Sequence, residues 1–157
     1  MPPSLQDTPS AALRITILVA RFNEAITRGL LDGALATLRE RGLVESSLQV
    51  EWVPGAVELP LAAAAVIRAT RPDAVLTLGA VIRGDTDHYE HVSRMVADGV
   101  MRTNLDFGVP VAFWVLTCAN EELALARSGP NSANKGREAA LAALEMIELL
   151  RRVGPTT

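Results

Sequence analysis

Four times along this chain, a short run rich in β-branched and other apolar residues gives way to a longer segment with apolar residues at helical spacing. Leu13–Ala20 reads as a strand, and Glu24–Gly42 carries Ile26, Leu30, Ala34, Leu35 and Leu38 on one helical face before a Gly stop. Leu48–Val53 is a second strand closed by Pro54-Gly55, and Glu58–Thr70 a second helix, with Pro60 tolerated in its first turn and Pro72 beyond its end. Ala74–Gly79 reads as a buried parallel strand, and Val92, Met95, Val96, Gly99 and Val100 mark a third helix that Gly108 stops. Pro110–Thr117 is a fourth strand; a short helix Asn120–Ser128, a loop Gly129–Ala133 and a last helix from about Asn134 to Arg152 follow. Strands separated by helices pair in parallel through right-handed crossovers. The expected fold class is therefore α/β, a three-layer α/β/α sandwich with a four-stranded parallel sheet in flavodoxin-like order 2-1-3-4. The last helix shows Ala139, Ala140, Ala142, Ala143, Met146, Ile147, Leu149 and Leu150 on more than one face. One face covers the sheet and the other needs a partner, which predicts an oligomer.

At 157 residues the chain is expected to form one domain, residues 1–157, with 1–12 flexible. A formal net charge of −3 supplies no basic field for nucleic acid or an anionic membrane. The single Cys118 excludes an intrachain disulfide and fits a reducing compartment. Met1–Ala12 lacks the basic start and apolar core of a signal peptide, and the longest apolar stretch, Leu61–Ile67, is far too short to span a bilayer. The expected address is the cytoplasm.

Chemistry concentrates where the third strand hands over to the third helix, in VIRGDTDHYEHV, Val81 to Val92. In such sheets ligands bind outside the carboxyl ends of strands, where helix N-termini favour anions. Gly84 allows close backbone approach and Thr86 adds a hydroxyl, so Gly84-Asp85-Thr86 reads either as a phosphate cradle or as a capped loop. His88 carries the side chain best suited to give and accept protons near neutrality; the rival reading is a surface His at a helix start. Asp87 and Glu90 have capping-box spacing around it. His88 and His91 have the i, i+3 spacing of two metal ligands, but no third Cys or His lies near, and no metal is expected. Arg127 is a bidentate phosphate anchor or a solvated charge at a helix end, and Lys135 a second cation or a solvated loop residue. In a chain only 4% aromatic, Phe22 follows strand one in a polar turn that suits a stacking platform, whereas Phe113 within strand four reads first as a core residue and second as a stacking ring. Cys118 lacks a matching base and reads as a packing residue.

Taken in order, Arg21-Phe22-Asn23-Glu24, VPGAVELP from Val53 to Pro60, GAVIRGDTDHYEHV, LTCAN from Leu116 to Asn120, Arg127 and Asn134-Lys135-Gly136 resemble the 6,7-dimethyl-8-ribityllumazine synthases of riboflavin biosynthesis. The resemblance runs from about Leu13 to Arg152. It implies condensation of 5-amino-6-(D-ribitylamino)uracil with 3,4-dihydroxy-2-butanone 4-phosphate, by imine formation, phosphate elimination and ring closure, with no cofactor. It implies that His88 is the catalytic residue. Phe22, Ala56, Val57, Glu58, Ala80, Val81, Ile82 and Phe113 would bind the ribityl pyrimidine, with Glu58 accepting hydroxyl hydrogen bonds. Gly84, Asp85, Thr86, Arg127 and Lys135 would bind the butanone phosphate. Relatives vary at Asp85, so its carboxylate is expected to point away and the backbone to bind. The resemblance further implies a homo-oligomer built on pentamers, sites shared between neighbouring subunits, and an association with riboflavin synthase.

Three departures from the family pattern stand out: Val57 and His91 occupy positions that are often aromatic, and Pro130-Asn131-Ser132-Ala133 replaces a Gly- and Lys-containing stretch of capsid-forming relatives. Two rival classes remain, a non-catalytic binder of flavin or ribityl compounds and a flavodoxin-type electron carrier. The first has no use for a proton shuttle such as His88; the second normally presents a Ser/Thr-rich phosphate loop after strand one, where this chain has Arg21-Phe22-Asn23.

Overall fold

The computed structural model describes residues 13–154; the expectation of a flexible stretch over residues 1–12 lies outside them. Four strands, β1 (Ile15–Ala20), β2 (Leu48–Val53), β3 (Ala74–Ile82) and β4 (Val111–Cys118), form one sheet in the order β2-β1-β3-β4. All three pairings are parallel, so the α/β sandwich expected from the alternation is the fold observed. Five α-helices connect and cover them: α1 (Glu24–Glu40), α2 (Leu59–Thr70), α3 (His88–Phe107), α4 (Glu121–Ala126) and α5 (Lys135–Val153).

The strand side chains alternate between two apolar clusters. Ile15, Ile17, Val19, Leu76, Leu78 and Ala80 pack under α1 and α5 with Leu30, Ala34, Leu38, Ala140 and Ile147. Leu18, Ala20, Val75, Val111 and Val115 pack under α2 and α3 with Leu59, Ala63, Val96 and Val100. Both tryptophans lie on the α1/α5 side, Trp52 on edge strand β2 and Trp114 on edge strand β4. Each has a cation over its ring, Arg28 at 5.1 Å and Lys135 at 5.8 Å.

β3 differs from the expectation. It does not stop at Gly79 but runs to Ile82, because Ala80, Val81 and Ile82 pair with Leu116, Thr117 and Cys118. Gly79 is a packing glycine, not a terminator. A Cβ there would stand 3.3 Å from both Leu59 and Val115. On its other side β3 loses β1 after the Val19–Leu78 rung, so its last residues overhang β1. A single 3₁₀ turn, Ala56–Glu58, intervenes between β2 and α2 and takes Glu58 out of the helix. On α5, Ala139, Ala140, Ala143, Leu144 and Ile147 are buried, whereas Met146 and Leu150 border an apolar groove of about 290 Å³ beside β4 with Leu105 and Pro110.

Candidate functional site

Three strand mouths meet at one end of the sheet. After β1 the chain is pinned to the β2 exit, with the Arg21 N–H donating to the Val53 carbonyl (2.8 Å) and the Phe22 N–H to the Pro54 carbonyl (3.1 Å). Asn23 then takes the left-handed conformation, φ 62° and ψ 48°, and its side-chain amide donates to the Ala80 carbonyl at 3.0 Å. Phe22 is left 72% exposed. No core role accounts for so large an apolar ring standing in water, which suits a surface that stacks on a ligand. After β2, the Ala56–Glu58 turn buries Ala56 and turns Val57 and Glu58 outward. After β3 come Gly84, Thr86 and His88, all exposed.

These pieces enclose a cleft of about 440 Å³. Of the expected site residues it is lined by Phe22, Ala56, Val57, Glu58, Ala80, Val81, Ile82, Gly84, Thr86 and His88. Gly55, Tyr89 and Val92 line it too and were not anticipated. Tyr89 was the signal available: an aromatic next to His88, in a chain with one Tyr. The cleft combines an aromatic wall, a carboxylate, an imidazole and a glycine turn, which suits a polar planar ligand whose protons must move.

His88 is the first residue of α3, and its N–H reaches the Thr86 hydroxyl at 3.4 Å. The expected capping box is not formed. Asp87 is the N-cap residue but its side chain makes no capping bond, and the Glu90 and His91 N–H groups donate to the Asp87 backbone carbonyl instead. Asp87 holds φ −72° and ψ 1° rather than the extended conformation that points a capping side chain back at the helix. Gly84 is not demanded by the fold: a Cβ there would have no heavy atom within 4 Å, and its φ lies outside the left-handed region.

The remaining expected residues, Asp85, Phe113, Arg127 and Lys135, do not line this cleft. Phe113 pairs with Thr77, four residues before Val81 and so about 13 Å back along β3. It is 37% exposed on the α2/α3 side of edge strand β4, and Trp114 faces the other way. Arg127 ends α4, with Nη1 donating to the Leu123 carbonyl. Lys135 starts α5, its Nζ 2.8 Å from the Glu138 carboxylate. A 2.8 Å bond from the Lys135 N–H to the Arg127 carbonyl ties the two cations together.

Asn134 holds that corner. Only 4% exposed, its amide donates to the carbonyls of Gly29 (3.0 Å), Ser128 (3.1 Å) and Gly129 (2.9 Å), and its Oδ1 accepts from the N–H groups of Gly136 (2.8 Å) and Arg137 (3.2 Å). A larger cavity of about 700 Å³ lies beside it, between α1 and the 128–134 turn. None of the expected site residues borders it, and its charged Glu40 and Arg137 pair with each other at 3.5 Å. At the far end of α1, a hydrogen bond to Arg39 lowers the Glu45 carboxyl pKa and raises that of the Arg39 guanidinium, remote from the cleft. Among the described residues no three His, Cys, Asp or Glu side chains are grouped to hold a metal ion, and no helix is long and apolar enough to cross a membrane.

A model of the 6,7-dimethyl-8-ribityllumazine synthase family matches residues 12–151. Proteins of that name from Stenotrophomonas maltophilia strains R551-3 and K279a are each 51% identical over 146 residues, 93% of this chain and 94% of theirs. One from Halorhodospira halophila is 48% identical over 140 residues, 89% of this chain and 90% of its own.

Proposed function

The chain belongs to the 6,7-dimethyl-8-ribityllumazine synthase family, a transferase family of riboflavin biosynthesis, and we propose that it condenses 5-amino-6-(D-ribitylamino)uracil with 3,4-dihydroxy-2-butanone 4-phosphate. The observation that carries this reading is the cleft, which gathers Phe22, Glu58, the β3 tip, Thr86 and His88 at the carboxyl ends of the strands. In it the pyrimidine stacks on Phe22 beside the Ala80–Ile82 backbone, and the ribityl hydroxyls donate to the Glu58 carboxylate. The phosphate rests at Gly84-Asp85-Thr86, where an unobstructed glycine lets it approach the backbone.

The amine of the pyrimidine attacks the ketone carbon, and the carbinolamine loses water to give an imine. Loss of the C3 proton then expels phosphate by breaking the C4–O bond, the resulting enol tautomerises to a ketone at C3, and the ribityl-bearing nitrogen attacks that new carbonyl, closing the ring with loss of a second water. Each step moves a proton between nitrogen, carbon and oxygen. His88, at the rim of the same cleft, is the group that relays them.

No cation lines the cleft of one chain to receive the leaving phosphate, whereas Phe113 sits on the open edge strand β4 and Lys135, tied to Arg127, stands over Trp114 on the other face of that strand. This supports a site completed by a neighbour: Phe113, Arg127 and Lys135 of one copy close the cleft of the next, in a ring built on pentamers. We read residues 1–157 as one domain and propose a cytoplasmic homo-oligomer that associates with riboflavin synthase. The test is a two-substrate assay. Purified protein should produce the lumazine chromophore with release of phosphate; binding of both substrates without turnover would reduce the protein to a binder and refute the proposal.

A further inference from the structure

We propose that Asn23 is a positioning residue of the cleft, whose side-chain amide and left-handed backbone together hold the Phe22 ring against the tip of β3. The inference rests on the reading of the cleft as the ribityl-pyrimidine site, and it starts from the mismatch in strand lengths. β1 last pairs with β3 at Val19–Leu78, while β3 continues to Ile82 with only β4 beside it. In a parallel sheet the carbonyls along that vacated edge would take N–H groups from the next residues of β1. At Ala80 the partner is instead the Asn23 side-chain amide, 3.0 Å from the carbonyl and 57 residues away in sequence. A side chain thus supplies one more rung after the strand has ended.

The same residue fixes the turn that presents Phe22. Asn23 is one of two non-glycine residues with positive φ among the described residues. Asn tolerates that region because its short amide can hydrogen-bond locally, whereas most side chains are strained there. Its own carbonyl accepts the N–H groups of Ile26 and Thr27, at 3.0 and 3.1 Å, and so begins α1. Phe22, one residue earlier and 72% exposed, has little packing to locate its ring. Its placement therefore comes from the backbone on either side: the bond to the Pro54 carbonyl before, and Asn23 after. One residue joins α1, the Phe22 turn and Ala80, and Phe22 and Ala80 both line the cleft. Their separation is what a planar ring bound in it would feel.

Two substitutions isolate the rung from the turn. Asn23→Gly keeps the left-handed backbone at no steric cost and deletes the amide. Asn23→Asp keeps size and turn tendency but replaces the donor with a carboxylate facing the Ala80 carbonyl. Arg71→Ala is the control: Arg71 is the other left-handed residue (φ 47°), capping α2 at the opposite end of the sheet. Both Asn23 variants should raise KM for the ribityl pyrimidine roughly three- to ten-fold, the worth of one hydrogen bond, with KM for the butanone phosphate and kcat unchanged. Hydrogen exchange should quicken in the 79–82 segment of both. Arg71→Ala should lower the melting temperature without either effect.

Unchanged exchange at 79–82 would overturn the positioning role whatever the activity. Faster exchange with unchanged KM in an active enzyme would overturn its bearing on substrate. Equal changes in both KM values, matched by Arg71→Ala, would make Asn23 a plain stability residue and overturn it as well. A wild-type protein that makes no lumazine would defeat the proposed function instead, and the exchange arm would still decide whether Asn23 holds the tip.

Discussion

Asn134→Ala should be among the most damaging single truncations outside the apolar clusters, and its cost can be built up bond by bond. The amide of Asn134 satisfies three carbonyls, of which Gly29 belongs to α1 and retains its helical partner, so little is lost there. The Ser128 carbonyl is buried and loses its donor, a desolvation cost of about 1–3 kcal/mol. On the other side Oδ1 caps the first turn of α5 through Gly136 and Arg137, and losing an Asn cap costs about 1 kcal/mol. Against this, Asn134 borders the 700 Å³ cavity, so water can enter the gap and rehydrate part of what is orphaned. The net expectation is a loss of about 2–4 kcal/mol, a large share of a typical domain's stability. Urea denaturation monitored by circular dichroism reads it as a lower midpoint at unchanged slope. Asn134→Asp should be at least as costly at neutral pH, since it aims a carboxylate at three carbonyls. A loss under about 1 kcal/mol for the Ala variant, within the range of ordinary surface substitutions, would refute the reasoning.

Other perturbations address the chemistry. His88→Ala should lower turnover by roughly 10² while KM for both substrates stays close to wild type; a variant with undiminished kcat from about pH 6 to 8 removes the imidazole from proton transfer. Gly84→Ala has open space for its methyl group, so its melting temperature should match wild type while KM for the butanone phosphate rises; equal KM values would mean that no phosphate approaches that backbone. Equimolar coassembly of His88→Ala and Arg127→Ala subunits should regain about one quarter of wild-type activity, since each interface of a random ring receives both intact halves about one time in four. No recovery in verified mixed rings would sink the shared site.

The order of strands and helices was legible because each crossover carries its own periodicity and each boundary its own Gly or Pro. What escaped was where a local signal serves a distant neighbour. Gly79 looks like a strand end, yet it is glycine because Leu59 and Val115 crowd it, and β3 continues through Ile82 because β4 is there to pair. Asp87 and Glu90 have the spacing of a capping box, but the backbone at Asp87 enters the helix without the extended step that the box requires. At the site, Phe22, Glu58 and His88 were readable because strand-end position alone brings them together. Tyr89 and Val92 were not, since helix phase decides which residues beside His88 turn into the cleft. Phe113, Arg127 and Lys135 could be singled out by type, but the path of one chain does not carry them into the cleft that its own Phe22 and His88 line.

The two tryptophans amount to a pair of built-in optical gauges. Each sits under a cation on an opposite border of the sheet, Trp52 with Arg28 and Trp114 with Lys135, and neither borders the cleft. Emission from Trp52 therefore follows the β2 margin, far from β4, whereas emission from Trp114 follows the strand that carries Phe113 and the helix start that carries Lys135. Replacing one indole at a time by Phe would split a single fluorescence trace into two spatial channels. Docking of another molecule along β4 would register in one channel while the other stays silent.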